Sequence, residues 1–222
     1  MWPGSAASMD RCEDVEPHPR SGTVYVACTN NTQRGVAAGR PGPDPANPRA
    51  ASKDGHVIEI TEHRNRAAAT TFTWNLLLVC GDPEQAGTYF AGWDGPVAPI
   101  SCPDNLAFDS VGNLWVATDG APSAIKKADG LFKVPLDGPE RGRVQQFLAV
   151  PTDAETCGPV IHDTDDSVFV AVQHPGEDGS WTAQRSSFPD YVPAGQRPDR
   201  GDWRGPRPSV VQVTRRRGGG NR

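Results

Sequence analysis

Asp104-Asn-Leu-Ala-Phe-Asp-Ser-Val-Gly-Asn-Leu-Trp-Val-Ala-Thr118 has the form of a β-hairpin: a short apolar run, a turn of Asp, Ser and Gly, and an alternating strand ending in aromatic-Val-Ala. The same form occurs twice more. One copy is Glu13-Asp-Val-Glu-Pro-His-Pro-Arg-Ser-Gly-Thr-Val-Tyr-Val-Ala-Cys28, and the other is Gly158-Pro-Val-Ile-His-Asp-Thr-Asp-Asp-Ser-Val-Phe-Val-Ala-Val172. Tyr25, Trp115 and Phe169 share one column, and the first copy carries one extra residue in its turn. A supersecondary unit repeated along a chain marks a repeat architecture.

Each hairpin is followed by further strand-like runs. After the first come Gly55-His-Val-Ile-Glu-Ile-Thr61 and Thr70-Thr-Phe-Thr-Trp-Asn-Leu-Leu-Leu-Val79. After the second come Gly130-Leu-Phe-Lys-Val-Pro-Leu136 and Arg143-Val-Gln-Gln-Phe-Leu-Ala-Val150, and after the third Pro208-Ser-Val-Val-Gln-Val-Thr214. Four antiparallel strands per unit make a propeller blade. The predicted fold is all-β, a β-propeller segment of two full blades and a third that lacks its outer strand. Three blades do not close a ring of four to eight, so the sequence is expected to be part of a larger ring with open strand edges. Helical periodicity is absent apart from a short turn near Glu62–Ala69. The polar stretches 30–54, 83–101 and 176–207 are too long for turns between strands and are expected to be excursions on the propeller faces.

The 222 residues include 24 Gly and 22 Pro but only 36% hydrophobic residues, which suits a lean β core with long loops. A net charge of −5 argues against a nucleic-acid surface. The basic end, 215–222, is expected to be a disordered tail. The five cysteines contain no CxxC pair, which excludes a zinc ribbon, and Cys28 and Cys80 read as small buried hydrophobes within strands. No run approaches the length that spans a membrane, and the first residues show neither a signal-peptide core nor twin arginines.

The innermost strands of a propeller start at one mouth of its channel, so residues there converge from every blade. The repeat places Glu13, Asp104 and Gly158 in that column, with Asp14, Asn105 and Glu155 beside it. Such oxygen donors suit a hard cation such as calcium. Asp and Asn also start strands by bonding their own backbone, and the column alone leaves both readings open. Arg11 projects toward the same mouth and has the chemistry for an anionic group such as phosphate. Glu59, flanked by large apolar residues, must face water, pair with a charge or bind a metal. His174 at the end of the third strand is either a ligand or a hydrogen-bonding turn residue. The other histidines have no HxxxH spacing.

Met9-Asp-Arg-Cys-Glu-Asp-Val-Glu-Pro17 with Gly22-Thr-Val-Tyr-Val-Ala-Cys-Thr-Asn-Asn31 resembles the Met-Asp-Arg-Pro-Glu-Asp segment of PhoX-type alkaline phosphatases. Ala46-Asn-Pro-Arg-Ala50, Gly55-His-Val-Ile-Glu59, Cys102-Pro-Asp-Asn-Leu-Ala-Phe108, Val172-Gln-His-Pro-Gly-Glu177 and Arg207-Pro-Ser-Val-Val211 extend the likeness in order. It runs over 9–214, as the C-terminal half of such a domain, and leaves 1–8 as an unmatched extension. The resemblance implies a six-bladed propeller with an iron–calcium cluster (Ca2+ and Fe3+) at its channel mouth. It implies hydrolysis of small phosphomonoesters in the periplasm or outside the cell. It makes Glu13, Glu59 and Asp104 metal ligands and Arg11 a phosphate contact. Asn105, Glu155 and His174 are further candidates from the column. The family's cluster also takes a cysteine and a carboxylate from an N-terminal half, so a segment of this extent is expected to be inactive until a missing half or a complementing chain completes it. Cys12 stands where the family usually has proline. A gluconolactonase-type lactonase shares the blade motif Pro103–Val116, but Arg11 and Glu59 have no role in it. A non-catalytic binding propeller is the remaining alternative. No nucleic acid and no membrane partner is expected.

Overall fold

Alternation with period 2 along Val24-Tyr-Val-Ala-Cys28 and its two counterparts builds the centre of each sheet, because one strand then feeds two apolar faces. The computed structural model describes residues 8–192 and 205–215. The start expected to be an unmatched extension, 1–8, apart from Ser8, and the basic tail beyond Arg215 lie outside the described residues. The described residues are all-β apart from short helical turns and form three antiparallel sheets. The first sheet runs in order β1 (Cys12–Pro17), β2 (Val24–Cys28), β3 (His56–Glu62), β4 (Phe72–Val79) and β5 (Tyr89–Phe90). The second comprises β6 (Pro103–Phe108), β7 (Leu114–Thr118), β8 (Gly130–Val134) and β9 (Gln145–Ala149). The third comprises β10 (Glu155–His162), β11 (Ser167–Gln173) and β12 (Ser209–Thr214). Thus the strands number five, four and three, the extra one in the first sheet being the two-residue β5. A five-residue helix, α1 (Ala121–Ile125), follows β7 and was not expected from periodicity. The turn expected near Glu62–Ala69 is a short 3-10 segment at His63–Asn65.

The sheets stack in chain order with their hairpins β1–β2, β6–β7 and β10–β11 adjacent, β6 touching both β1 and β10. Tyr25 and Ala27 of β2 pack with Leu114 and Val116 of β7 in one buried cluster. Trp115 and Ala117, on the other face of β7, pack with Val168 and Val170 of β11 in a second. In the first two sheets the aromatic-Val-Ala column therefore turns its aromatic and alanine toward the following sheet. At the third sheet the corresponding residues, Phe169 and Ala171, remain half-exposed.

Neighbouring hairpins are tied at both ends. At the strand-start end, the Leu106 N–H donates to Asp14 Oδ2 at 2.7 Å and the Gly158 N–H to Asn105 Oδ1 at 2.8 Å. At the turn end, His18 Nε2 lies 3.2 Å from Gly112 O, and Ser110 Oγ donates to Asp163 Oδ2 at 2.6 Å.

The excursion 30–54 folds around a fully buried arginine. Arg34 Nε donates to Asp10 Oδ1 at 2.7 Å, and its Nη1 to Gly42 O at 2.7 Å and Asp44 Oδ2 at 3.3 Å. Its Nη2 donates to Ser8 O, and Asn31 Nδ2 adds a 2.7 Å bond to Asp10. The network pins the segment before β1 against the loop after β2. The loop re-enters the sheet at Gly55 (φ 73°), where a Cβ would lie 2.2 Å from Thr29 O and 2.4 Å from Cys28 O, so only glycine fits.

Candidate functional site

Antiparallel pairing sets the start of each inner strand beside the end of its partner. One end of the three hairpins therefore collects Arg11, Glu13 and Asn30 from the first, Asp104 and Asp119 from the second, and Glu155, Cys157 and His174 from the third. All three inner strands carry a register shift there, between Cys12 and Asp14, Pro103 and Leu106, and Cys157 and Val160. Such bulges bend a strand and re-aim its side chains. The pairs Cys12–Cys28, Pro103–Thr118 and Thr156–Val172 fix the structural columns. By that register Cys157, rather than Gly158, shares the column of Glu13 and Asp104. The third copy, like the first, has one more residue between bulge and turn than a gapless alignment allows.

Arg11 has left-handed backbone (φ 41°), and its carbonyl accepts the Thr29 N–H at 3.0 Å. Its exposed guanidinium donates to Glu13 Oε1 at 3.0 Å and Asn30 Oδ1 at 3.2 Å. Asp104 is half-buried, and its carboxyl is pushed up to about 6, first by burial and then by the charges of Glu13, Asp119, Glu155 and Asp14. The Glu155 carboxyl is also raised, chiefly by burial and then by Asp119, against the opposing pull of its hydrogen bond from Cys157 and of His174. The Cys157 Sγ donates to Glu155 Oε1 at 3.1 Å, and burial together with that carboxylate pushes the thiol up to about 12. Glu13, Asp104 and Glu155 are thus brought together from three sheets, with Arg11 on one flank and His174 on the other.

Asp119 was not singled out from the sequence, although it follows Thr118 at the end of an inner hairpin and so had to lie at this mouth. Buried Asp129 sets its turn, accepting from Thr118 Oγ1 at 2.7 Å and from the N–H groups of Gly120 and Ala121 at 3.0 Å each. Asn105 is committed to its bond with Gly158. Glu59 lies elsewhere: it faces Tyr25 and, beyond it, Glu16, three residues along the strands from the Cys12–Cys28–His56 row. That is roughly 10 Å along the strands and two strand spacings outward from β1. There it accepts from Arg141 Nη2 at 2.7 Å, and burial with Glu59's charge pushes the Tyr25 hydroxyl up to about 12.

The donors suit hard cations, being carboxylates whose mutual repulsion adds to burial in raising the Asp104 pKa, a repulsion that positive charge relieves. Among the described residues no three of His, Cys, Asp and Glu are placed to hold one ion. A separate cleft of 380 Å³, whose lining includes Trp115, Phe147, Ile161, Val168, Asp163 and Asp166, lies toward the turn end of the hairpins, away from Glu13, Asp104 and Glu155. Among the described residues no helix is long and apolar enough to cross a membrane.

Residues 4–176 match the family described as alkaline phosphatase PhoX. The structure is similar to that of Pseudomonas fluorescens PhoX in complex with vanadate, a transition state analogue, with a TM-score of 0.74 and 32% sequence identity. The similarity covers 95% of this chain and 34% of that one, so the chain spans about a third of its length. No curated protein sequence matches the chain.

Proposed function

Because the chain belongs to the PhoX alkaline phosphatase family, we propose that it forms one part of a phosphomonoester hydrolase, its residues contributing a segment of the catalytic mouth. The observation that carries this reading is the meeting of Glu13, Asp104 and Glu155 with Arg11 at one end of three stacked hairpins. The three sheets act as consecutive blades of a six-bladed propeller over 9–214. The half-exposed face of Phe169 and Ala171 supports this, because each preceding aromatic–alanine pair is covered by another sheet. The rest of the ring, with its remaining ligands, comes from residues outside these 222, and the site works outside the cytoplasm.

Glu13, Asp104 and Glu155 would hold the cations together with ligands from the rest of the ring, while Glu59, engaged by Arg141, would stay outside the cluster. Calcium and iron(III), when bound, neutralise phosphoryl oxygens and activate an oxygen nucleophile. Arg11 binds the phosphate. Two of its five N–H donors are taken by Glu13 and Asn30, which fix its plane, and the rest remain for an oxyanion. Vanadate binding by the relative fits such an oxyanion site.

The test joins this chain to the rest of a PhoX-type relative. The product is expected to hydrolyse a chromogenic phosphomonoester with calcium present and to be inhibited by vanadate. Glu13→Ala is expected to lose metal and turnover together. Arg11→Ala is expected to keep its metal but raise KM by about ten- to a hundredfold, the loss of one charge-assisted contact. Activity that survives both Glu13→Ala and a chelator, or hydrolysis confined to lactones, would overturn the reading.

A further inference from the structure

Cys12 and Cys28 stand directly opposite each other on β1 and β2, with their Sγ atoms 3.9 Å apart. The Thr29 N–H bonds Arg11 O at 3.0 Å, one residue beyond the pair on each strand. A bond in that place brackets a pair that exchanges no backbone hydrogen bonds of its own. At such positions antiparallel strands approach most closely, with Cα atoms about 4.5 Å apart and side chains side by side. That spacing lies within the roughly 4.4–6.8 Å a disulfide bridges. Closing the 3.9 Å gap to the roughly 2 Å of an S–S bond requires rotation about the two Cα–Cβ bonds. The other three cysteines are differently occupied: Cys80 packs in the core, Cys102 Sγ donates to Lys53 O at 3.2 Å, and Cys157 Sγ faces Glu155.

We propose that Cys12 and Cys28 form a reversible cross-strand disulfide that fastens the start of β1 to β2. Cys12 is exposed and Cys28 buried, which orders the chemistry. With a small disulfide such as oxidised glutathione as oxidant, the Cys12 sulfur, giving up its proton, attacks one glutathione sulfur. The glutathione S–S bond breaks, and one glutathione leaves and takes up the proton. The Cys28 sulfur, giving up its own proton, then attacks Cys12 Sγ. The Cys12–Cys28 bond forms as the second glutathione leaves protonated. The protein dithiol loses two electrons and the glutathione disulfide gains them. The bond closes a loop through the β1–β2 turn and ties down the residue next to both Arg11 and Glu13. It stands or falls independently of any hydrolytic role.

The experiment equilibrates the 222-residue chain in buffers of graded reduced and oxidised glutathione, quenches with acid, alkylates the free thiols and maps the peptides by mass spectrometry. The expected result is a monomer with three alkylated cysteines, Cys80, Cys102 and Cys157, and one linked peptide pair carrying Cys12 and Cys28. Its melting temperature is expected to lie about 5–10 °C above that of the identically treated Cys12→Ser variant, as suits a loop of this size in a domain of this size. Five alkylated cysteines in the most oxidising buffer would overturn the proposal. So would Cys12 recovered only as a glutathione adduct, or a linkage found only between two chains.

Discussion

Asp104 illustrates how a half-buried carboxyl among other acids burdens the fold that holds it. Its pKa rises from 3.8 to about 6, so between those values the folded chain binds more protons than the unfolded one. Stability therefore falls as pH rises through that window, and the whole cost is present above it. Asp104→Asn is expected to stabilise the chelator-treated protein by about 1–2 kcal/mol at pH 8, after discounting for its partial exposure, and to have no effect below about pH 4. Urea denaturation at the two pH values measures this. The opposite case is Arg34, whose charge is fully compensated. Arg34→Met strands Asp10 in the interior and is expected to cost about 3–5 kcal/mol in the same assay. The two residues differ in legibility. Glu13 and Asp104 were readable because a repeat aligned them, whereas Cys157 was displaced from their column by one residue hidden in a turn. Nothing local announced that Arg34 would be buried, or that Glu59 would meet Arg141 from 82 positions away.

Elements were legible where they alternate for several residues. The inner hairpins and the strands after them stood out because period 2 over five or more residues is a strong signal. β5 spans two residues and α1 five, too few for any period to register. The shared bulges were invisible for another reason: an extra residue in one strand is defined only against its partner. The stretch 30–54 was expected to be a surface excursion from its polarity, yet its conformation is fixed by the buried arginine and closed by Gly55. Gly55→Ala forces a Cβ onto two carbonyl oxygens at a positive φ and is expected to cost more than about 2 kcal/mol. Gly39 has a similar φ of 77° but open space around it, so Gly39→Ala should cost only about 1 kcal/mol. Paired thermal melts of the two variants separate crowding from backbone conformation.

At the scale of the whole molecule, the stacking of the sheets was written in one column. Tyr25 and Trp115 fill the gap to the next sheet, and Phe169 holds the same column on the third. The number of strands per sheet was less readable, since outer strands pack on fewer neighbours and their composition is less constrained. The ties between hairpins carry a consequence for the order of events in folding. Within a sheet the strands are sequence neighbours, joined by connections no longer than the excursions that follow β2 and β11, whereas the Asp14–Leu106 and Asn105–Gly158 bonds span 92 and 53 residues. Long closures are entropically slower to repay, so each sheet is expected to form before it docks. Asn105→Ala, expected to cost about 1 kcal/mol, should then quicken unfolding about fivefold and leave the refolding limb of a stopped-flow chevron nearly unmoved. Slower refolding in that variant would mean that the hairpins meet in the transition state, with the bulged ends serving as the nucleus and the outer strands added afterwards.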